Sequence, residues 1–280
     1  MARFLEATLE SVFSQDYPRI EYIVLDGGST DGTVGILQHF ARKAPQNVDF
    51  HWYSAPDHGT ADALNRGLAQ STGTILAYLN ADDLYTPSAI RLAVEALEAN
   101  PSAAAVYGEA DWISESGDIL KRYPTRPFDA DLLQSECFIC QPACFFRRRA
   151  FDRFEESLRF AYDYDLWIRL AARGERFVHV SDVLARSRMH EANKTLGQRR
   201  GVLRENIEIL RRHYGYAPFS HILAYTAFLI DGRDQFYEPF QPSIIKYSAS
   251  LPVGLRFNAT KPVRYVKEWL APLRRTKYRR

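Results

Sequence analysis

At 280 residues the chain can form one large domain, or one domain with a smaller appendage, and can bury a core without disulfide or metal staples. Its 46% hydrophobic and 25% charged residues are ordinary for a soluble globular protein, and a net charge of +2 makes no case for nucleic acid. No apolar leader follows Met1, and the most apolar late run, Ile222 to Ile230, falls far short of the ~20 residues of a membrane span, so a cytoplasmic protein is expected.

In chain order, Phe4-Leu5, Leu9 and Val12-Phe13 recur at helical spacing, and Pro18 follows the stop. Ile20 to Leu25 is an apolar run ending in Asp26-Gly-Gly-Ser, which predicts a buried strand and its turn. Thr33 to Arg42 predicts a helix, Val48 to Tyr53 an alternating strand, Ala61 to Gln70 a helix and Thr74 to Leu79 a buried strand. Pro87 to Ala99 predicts a helix ended by Asn100-Pro101, and Ala103 to Tyr107 a further strand. Strands alternating with helices imply βαβ units, hence an α/β fold with a mainly parallel sheet flanked by helices. After Gly108 the pattern predicts a hairpin from Ala110 to Tyr123 around Ser116-Gly117. Helices are expected over Asp129 to Ser135, Arg149 to Phe154 and Asp163 to Arg173, and strands over Phe177 to Val180 and Val183 to Arg188. From Arg199 onward the pattern is helical, with breaks at Pro218, Pro239, Pro242, Pro252 and Pro262.

Three cysteines, Cys137, Cys140 and Cys144, argue against a disulfide framework and fit a reducing compartment. Their spacing invites a zinc reading, but the stretch around them is apolar and offers no fourth ligand. Small buried hydrophobes are the expected role.

Ligands of open parallel sheets bind outside the carboxyl ends of the strands. Two acidic turns are predicted there: Asp26-Gly-Gly-Ser-Thr-Asp31-Gly-Thr and Asn80-Ala-Asp82-Asp83. Massed carboxylates need a counter-ion or full solvation, and Mg²⁺ prefers one or two carboxylates plus substrate phosphates. The second turn therefore reads as a cation site or as a solvated helix cap. In the first, Asp26 is placed to accept hydrogen bonds from a base or ribose, while Asp31 is equally explained as a helix cap. Asp163 opens a helix whose Leu166, Trp167 and Leu170 face a core; it caps that helix or projects into a cleft as a base. Arg186-Ser-Arg188-Met-His190 puts cations and an imidazole at a strand end, which suits a diphosphate.

Taken together, the ordered stretches Phe4 to Pro18, Asp26 to Thr33, Pro56-Asp57 to Gly67, Leu79 to Asp83, Gln141-Pro-Ala, Tyr162-Asp163-Tyr-Asp-Leu-Trp167 and Arg188-Met-His190 resemble the inverting, nucleotide-sugar-dependent glycosyltransferases of family 2. The resemblance covers residues 3 to 195. It implies a single nucleotide-binding, GT-A-like catalytic domain over residues 1–195, followed by a helical C-terminal region, 196–280, with a basic tail. By the same resemblance Asp26 and Asp57 contact the base or ribose, and Asn80-Ala-Asp82 stands for an acidic metal motif with Asn in its first place, where Asn80 binds the nucleotide by a hydrogen bond to ribose. Asp82 then holds a divalent cation, Mg²⁺ or Mn²⁺, that bridges the diphosphate, with His190 near the metal or diphosphate. Asp163 corresponds to the catalytic base, although Tyr162 stands where the family often has Glu. The implied reaction moves a sugar from a nucleotide-sugar donor to a hydroxyl on a glycan or lipid-linked acceptor, with Asp163 taking the proton and the anomeric centre inverting. Cell-surface polysaccharide or glycolipid synthesis is the expected setting.

The family begins with an apolar strand ahead of the Phe4-to-Pro18 helix, whereas Met1-Ala-Arg3 leads straight into it here. A missing first strand, open strand edges and a truncated chain are therefore expected. Near the C-terminus Lys261, Arg264, Lys267, Arg274, Arg275, Lys277, Arg279 and Arg280 interleave with Val263, Tyr265, Val266, Trp269 and Leu270. That pattern fits either a solvated tail or peripheral contact with an anionic membrane. Two competing functions are a catalytically silent sugar-nucleotide-binding protein, favoured by Asn80 and the missing strand, and a nucleotidyltransferase, for which no glycine-rich, Lys/Arg-bearing phosphate loop stands near the start.

Overall fold

Helix α1 (Ala2–Phe13) buries Phe4, Leu5, Thr8, Leu9 and Val12, which share a single helical face. The computed structural model describes residues 1–191, 193–232 and 243–276. Strand β1 (Ile20–Asp26) pairs in parallel with β2 (Val48–Ser54) across helix α2 (Thr33–Ala41). Leu5 and Leu9 of α1 join Leu37 and Phe40 of α2 in one cluster, edged by Phe13 and Phe50. Helix α3 (Thr60–Gln70) leads into the segment 74–79, of which only Ile75–Leu76 (β3) is paired. Among the described residues β1 bonds to β2 alone, so its other edge is open. A continuous cleft of about 1380 Å³ lies between β1 and residues 74–83. The open edges expected from the sequence are present.

The second sheet holds β3, β4 (Leu84–Tyr85), β5 (Ala105–Ile113), β6 (Ile119–Arg122), β7 (Cys144–Arg147) and β8 (Phe177–Arg188). Its order is β3-β7-β5-β8-β4, with β6 paired to β5. Strand β5 is its centre, buried at all but one position. The α/β architecture is as expected, but parallel pairing is confined to β1–β2 and β5–β8; the other described pairings are antiparallel and the sheet is mixed. The β5–β8 approach depends on Gly108, where an added Cβ would lie 2.5 Å from Leu184 and 2.7 Å from the Asp182 carbonyl.

Helix α4 (Ala89–Ala99) packs Ala89, Ala93 and Leu97 on one side of this sheet with Val106, Phe145 and Leu184. On the other side Trp167, Leu166 and Leu170 of α6 (Tyr162–Ala172) meet Tyr107, Phe146 and Phe177. The short α5 (Ala130–Leu133), capped by Asp129, lies where a longer helix was expected. After α7 (Lys194–Gly197), helices α8 (Arg199–Tyr214), α9 (Phe219–Asp231), α10 (Ile244–Phe257) and α11 (Pro262–Thr276) gather Leu203, Ile207, Tyr216, Ile222 and Tyr265 in a separate cluster.

Three further sequence expectations need correction, and two strands carried no signal. Arg149 to Phe154 is not a helix beyond the turn Arg148–Ala150. Its neighbours are fixed by long-range bonds: Arg148 donates to the carbonyls of Gly73 and Ser71, and Asn65 bonds both the N–H and the carbonyl of Phe154. The two strands expected over 177–188 are one, β8, with register shifts where it passes Gly108. Strands β4 and β7 had no sequence signal. Pro252 does not break α10; it and Ser248, whose carbonyl it leaves without the helical donor, are both exposed at the surface. Pro218 and Pro262 do mark helix starts, whereas Pro239 and Pro242 lie outside the described residues, as do Lys277, Arg279 and Arg280.

Candidate functional site

The strand ends converge as the sheet geometry requires. The segment 74–79 delivers the turn Asn80 to Asp83, and β8 ends by delivering Arg188 and then His190 beside it. Asp82 and His190 are both buried, 7% and 4% exposed, and His190 Nε2 lies 2.9 Å from Asp82 Oδ2. The Phe4 ring of α1 stands 4.9 Å from the imidazole and beneath the Arg188 guanidinium at 4.8 Å. Arg188 donates to the carbonyls of Asp82, Ser114 and Glu115, so this cation is engaged by backbone of the scaffold. Asp83 Oδ1 accepts from the Arg188 N–H and Oδ2 from the Asn80 amide. Burial, and then the Asp82 carboxylate, push the Asp83 carboxyl well above the usual carboxylate range. Asn80 also donates to Gln141 Oε1, and Gln141 in turn bonds the Tyr78 carbonyl at 2.6 Å. The first place of the acidic motif is thus occupied by a side chain that fastens the turn.

Asp163 lies in the first turn of α6, on the same cleft as Asn80, Asp82 and Asp83. Its carboxylate accepts the Tyr164 N–H at 2.8 Å. Burial pushes its pKa up to about 6; hydrogen bonds from the backbone oppose this and the charge of Glu205 adds to it. Tyr78 also lines the cleft, and its hydroxyl is buried without a hydrogen-bond partner. Burial raises its pKa and the nearby Asp163 charge raises it further, which places the two groups within electrostatic reach. A carboxylate poised near neutrality beside an unsatisfied hydroxyl suits removal of a proton from a bound alcohol.

Asp26 and Asp57 come together at the other end of the strand ends, lining a separate hollow of about 140 Å³ with Tyr53 and Arg66. Asp26 accepts from the Ser29 N–H and the Ser54 hydroxyl; burial works against its ionisation, but these bonds prevail and hold its carboxyl below the usual range. Asp57 accepts the Gly59 N–H at 2.8 Å. A Cβ at Gly27 would approach Asp57 Oδ2 to 2.7 Å, so a side chain there would displace that carboxylate. Asp31 bonds the N–H and hydroxyl of Thr33 and faces the Met1 amine, so it serves the start of α2.

No group of three or more His, Cys, Asp or Glu fit to hold a metal occurs among the described residues. One carboxylate and one imidazole do meet, however, and His190 Nδ1 is buried without a partner. This donor set fits a cation shared with a diphosphate rather than one caged by protein. Cys137, Cys140 and Cys144 are free thiols raised in pKa by burial, in keeping with the hydrophobic role expected. The sequence reading passed over Tyr78 and the fastening role of Gln141, and gave Arg188 to a diphosphate, whereas its guanidinium bonds backbone carbonyls. A lone tyrosine in an apolar strand, or an arginine whose partners are carbonyls, leaves no residue pattern to find.

The glycosyl transferase family 2 profile matches residues 2–154. A PGL/p-HBAD biosynthesis glycosyltransferase of Mycobacterium bovis is 34% identical over 191 residues, covering 64% of this chain and 70% of that protein. A chondroitin synthase of Escherichia coli is 25% identical over 233 residues, covering 79% of this chain; the chain spans 33% of that relative's length. Among solved structures, a mannosyltransferase of Pyrobaculum calidifontis in complex with GDP-Man and Mn²⁺ superposes with a TM-score of 0.60 at 23% identity, covering 94% of this chain and 72% of that one. At that identity the likeness speaks to the fold, which is GT-A-like.

Proposed function

The chain belongs to glycosyl transferase family 2, and on that premise we propose that it transfers a sugar, with inversion, from a nucleotide-diphosphate sugar to a hydroxyl acceptor. The observation that carries this reading is the placement of Asp163, raised to about 6, on one cleft with the Asp82 turn. The acceptor hydroxyl binds within reach of Asp163, which takes its proton as the oxygen attacks the anomeric carbon. The Tyr78 hydroxyl holds the reacting sugar or acceptor. Asp26 and Asp57 hold the nucleoside, and Asn80 keeps the acidic turn in place. Asp82 and His190 would hold a divalent cation, Mg²⁺ or Mn²⁺, which when bound neutralises charge on the leaving diphosphate. The mannosyltransferase neighbour, bound to GDP-Man and Mn²⁺, supports such a donor and cation. The catalytic machinery is assigned to residues 1–195 and a helical region to 196–280.

The relatives' names support a role in polysaccharide or glycolipid synthesis, with a glycan or lipid-linked acceptor. No described helix is long and apolar enough to cross a membrane. Contact with an anionic membrane surface is assigned to the exposed Lys261, Arg264 and Lys267. Tyr265 and Trp269 of α11 face inward, bonding Ser250 and Tyr247 of α10, so that contact is electrostatic rather than insertive. Incubation with UDP-, GDP- and dTDP-sugars and acceptor glycans, followed by NMR of the product's anomeric proton, tests the reading. An inverted glycoside supports it; a retained configuration, or nucleotide-sugar synthesis with pyrophosphate, overturns it. A silent sugar-nucleotide-binding protein is the second reading, favoured by the open edge of β1 along the cleft.

A further inference from the structure

The loop that enters α6 is held by a residue from the C-terminal helices. Glu205 of α8 accepts three consecutive backbone N–H groups: Arg159 on Oε1 at 2.9 Å, and Phe160 and Ala161 on Oε2 at 2.8 and 2.9 Å. Ala161 is the N-cap of α6, and Asp163 lies two residues on. These N–H groups precede the helix and have no ladder to join, so one carboxylate satisfies them all. One turn earlier on α8, Gly201 lies so close to the Phe160 ring that an added Cβ would stand 2.3 Å from it. Two turns beyond Glu205, His213 Nε2 meets the buried Asp165 at 2.8 Å, while Arg169 holds the other oxygen of that carboxylate. Positions 201, 205, 209 and 213 recur every four residues, and Ile209 is fully buried in the core that contains Trp167. One stripe of α8 therefore runs along the start and first turns of α6.

Resting on the reading of Asp163 as the base, we propose that Glu205 is a positioning residue that clamps the loop 159–161 and so fixes where Asp163 stands in the cleft. The helical C-terminal region is then part of the catalytic apparatus rather than an appendage. The same carboxylate contributes to the raised pKa of Asp163. Other titratable groups within electrostatic reach of Asp163 are Tyr78, Tyr123, Cys137, Cys140, Cys144 and Tyr162, each raised by its charge. Of these neighbours and Glu205, only Glu205 is a carboxylate.

The test compares the wild-type chain with Glu205→Gln, Glu205→Ala and Asp163→Asn. Amide exchange at Arg159, Phe160 and Ala161 and the carbon-13 carboxyl titration of Asp163 are read by NMR, Asp163→Asn assigning the signal. Glu205→Gln keeps one acceptor oxygen and guards against loss of the fold in Glu205→Ala. In the Glu205 variants the three amides should exchange at least about tenfold faster. Asp163 should titrate at lower pH, because a raising charge is gone. Turnover of a UDP-, GDP- or dTDP-sugar should fall on the order of 100-fold in kcat with KM little changed. Exchange and titration both unchanged in a folded variant would overturn the proposal. Wild-type turnover by Asp163→Asn would instead remove the base reading, while the exchange rates still decide the clamp.

Discussion

His190 and Asp82, 108 positions apart, meet at 2.9 Å, and that contact joins the end of β8 to the acidic turn after residues 74–79. Because the contact is a hydrogen bond, Asp82→Asn preserves the pairing and removes only the charge. The expected outcome is a thermal midpoint within a few degrees of wild type. Affinity for Mn²⁺ in the presence of nucleoside diphosphate should fall roughly 10–100-fold. Isothermal titration checks both partners. Unchanged cation affinity would remove Asp82 from the cation site.

Asp163 is expected to govern the rate from below. As the ionised base it should give a kcat that rises with pH through about 6 and then levels. Asp163→Asn should lower kcat roughly 10²–10⁴-fold while leaving nucleotide affinity in place. The stability effect has the opposite sign. A carboxyl raised from 3.8 to about 6 binds more protons folded than unfolded, so it weakens the fold as pH rises from 3.8 to about 6, and the full loss persists above that. Asp163→Asn should therefore melt a few degrees higher than wild type at pH 7.5 and show no gain at pH 3.5, if the fold persists there. A flat rate profile through this window would contradict the assignment.

Arg188 is predicted to matter for the scaffold more than for the ligand. Replacing it by Met strands the carbonyls of Asp82, Ser114 and Glu115. Urea unfolding should record a loss of about 2–4 kcal/mol. Full stability with weakened nucleotide binding would show that the guanidinium serves the diphosphate instead.

Flotation with anionic liposomes tests the membrane contact. Arg264→Glu with Lys267→Glu should lower the bound fraction, and 0.5 M salt should lower that of the wild type, since a surface contact is screened. Equal flotation of variant and wild type would set the contact aside.

Much of the site was legible because strand ends gather ligands and carboxylates at such ends need a partner. The turns at Asp26 and Asn80–Asp83 followed from that rule, and Asp163 was singled out by its place at a helix start. Whether Asp26 served a ligand or a loop did not, because its partner Ser54, on β2, is 28 positions away and set by tertiary structure. The helix expected over 149–154 failed because its ends are fixed from afar: Arg148 bonds Gly73, 75 positions away, and Phe154 bonds Asn65, 89 positions away. Glu205 was illegible for the same reason: its partners are bare N–H groups 44 to 46 residues earlier. The mixed sheet arose from β7 and β4, whose short runs carry no alternation to read.

The most direct test of the account is a thermal-shift panel of UDP, GDP, dTDP and CMP on the wild-type chain, each with and without Mn²⁺ or Mg²⁺, repeated on Asp82→Ala. At ~100 times its dissociation constant a ligand adds ~2.7 kcal/mol of stability. The account predicts a clear upward shift with one nucleotide that requires the cation and is lost in Asp82→Ala. An equal shift in Asp82→Ala, or no shift with any nucleotide, would contradict it.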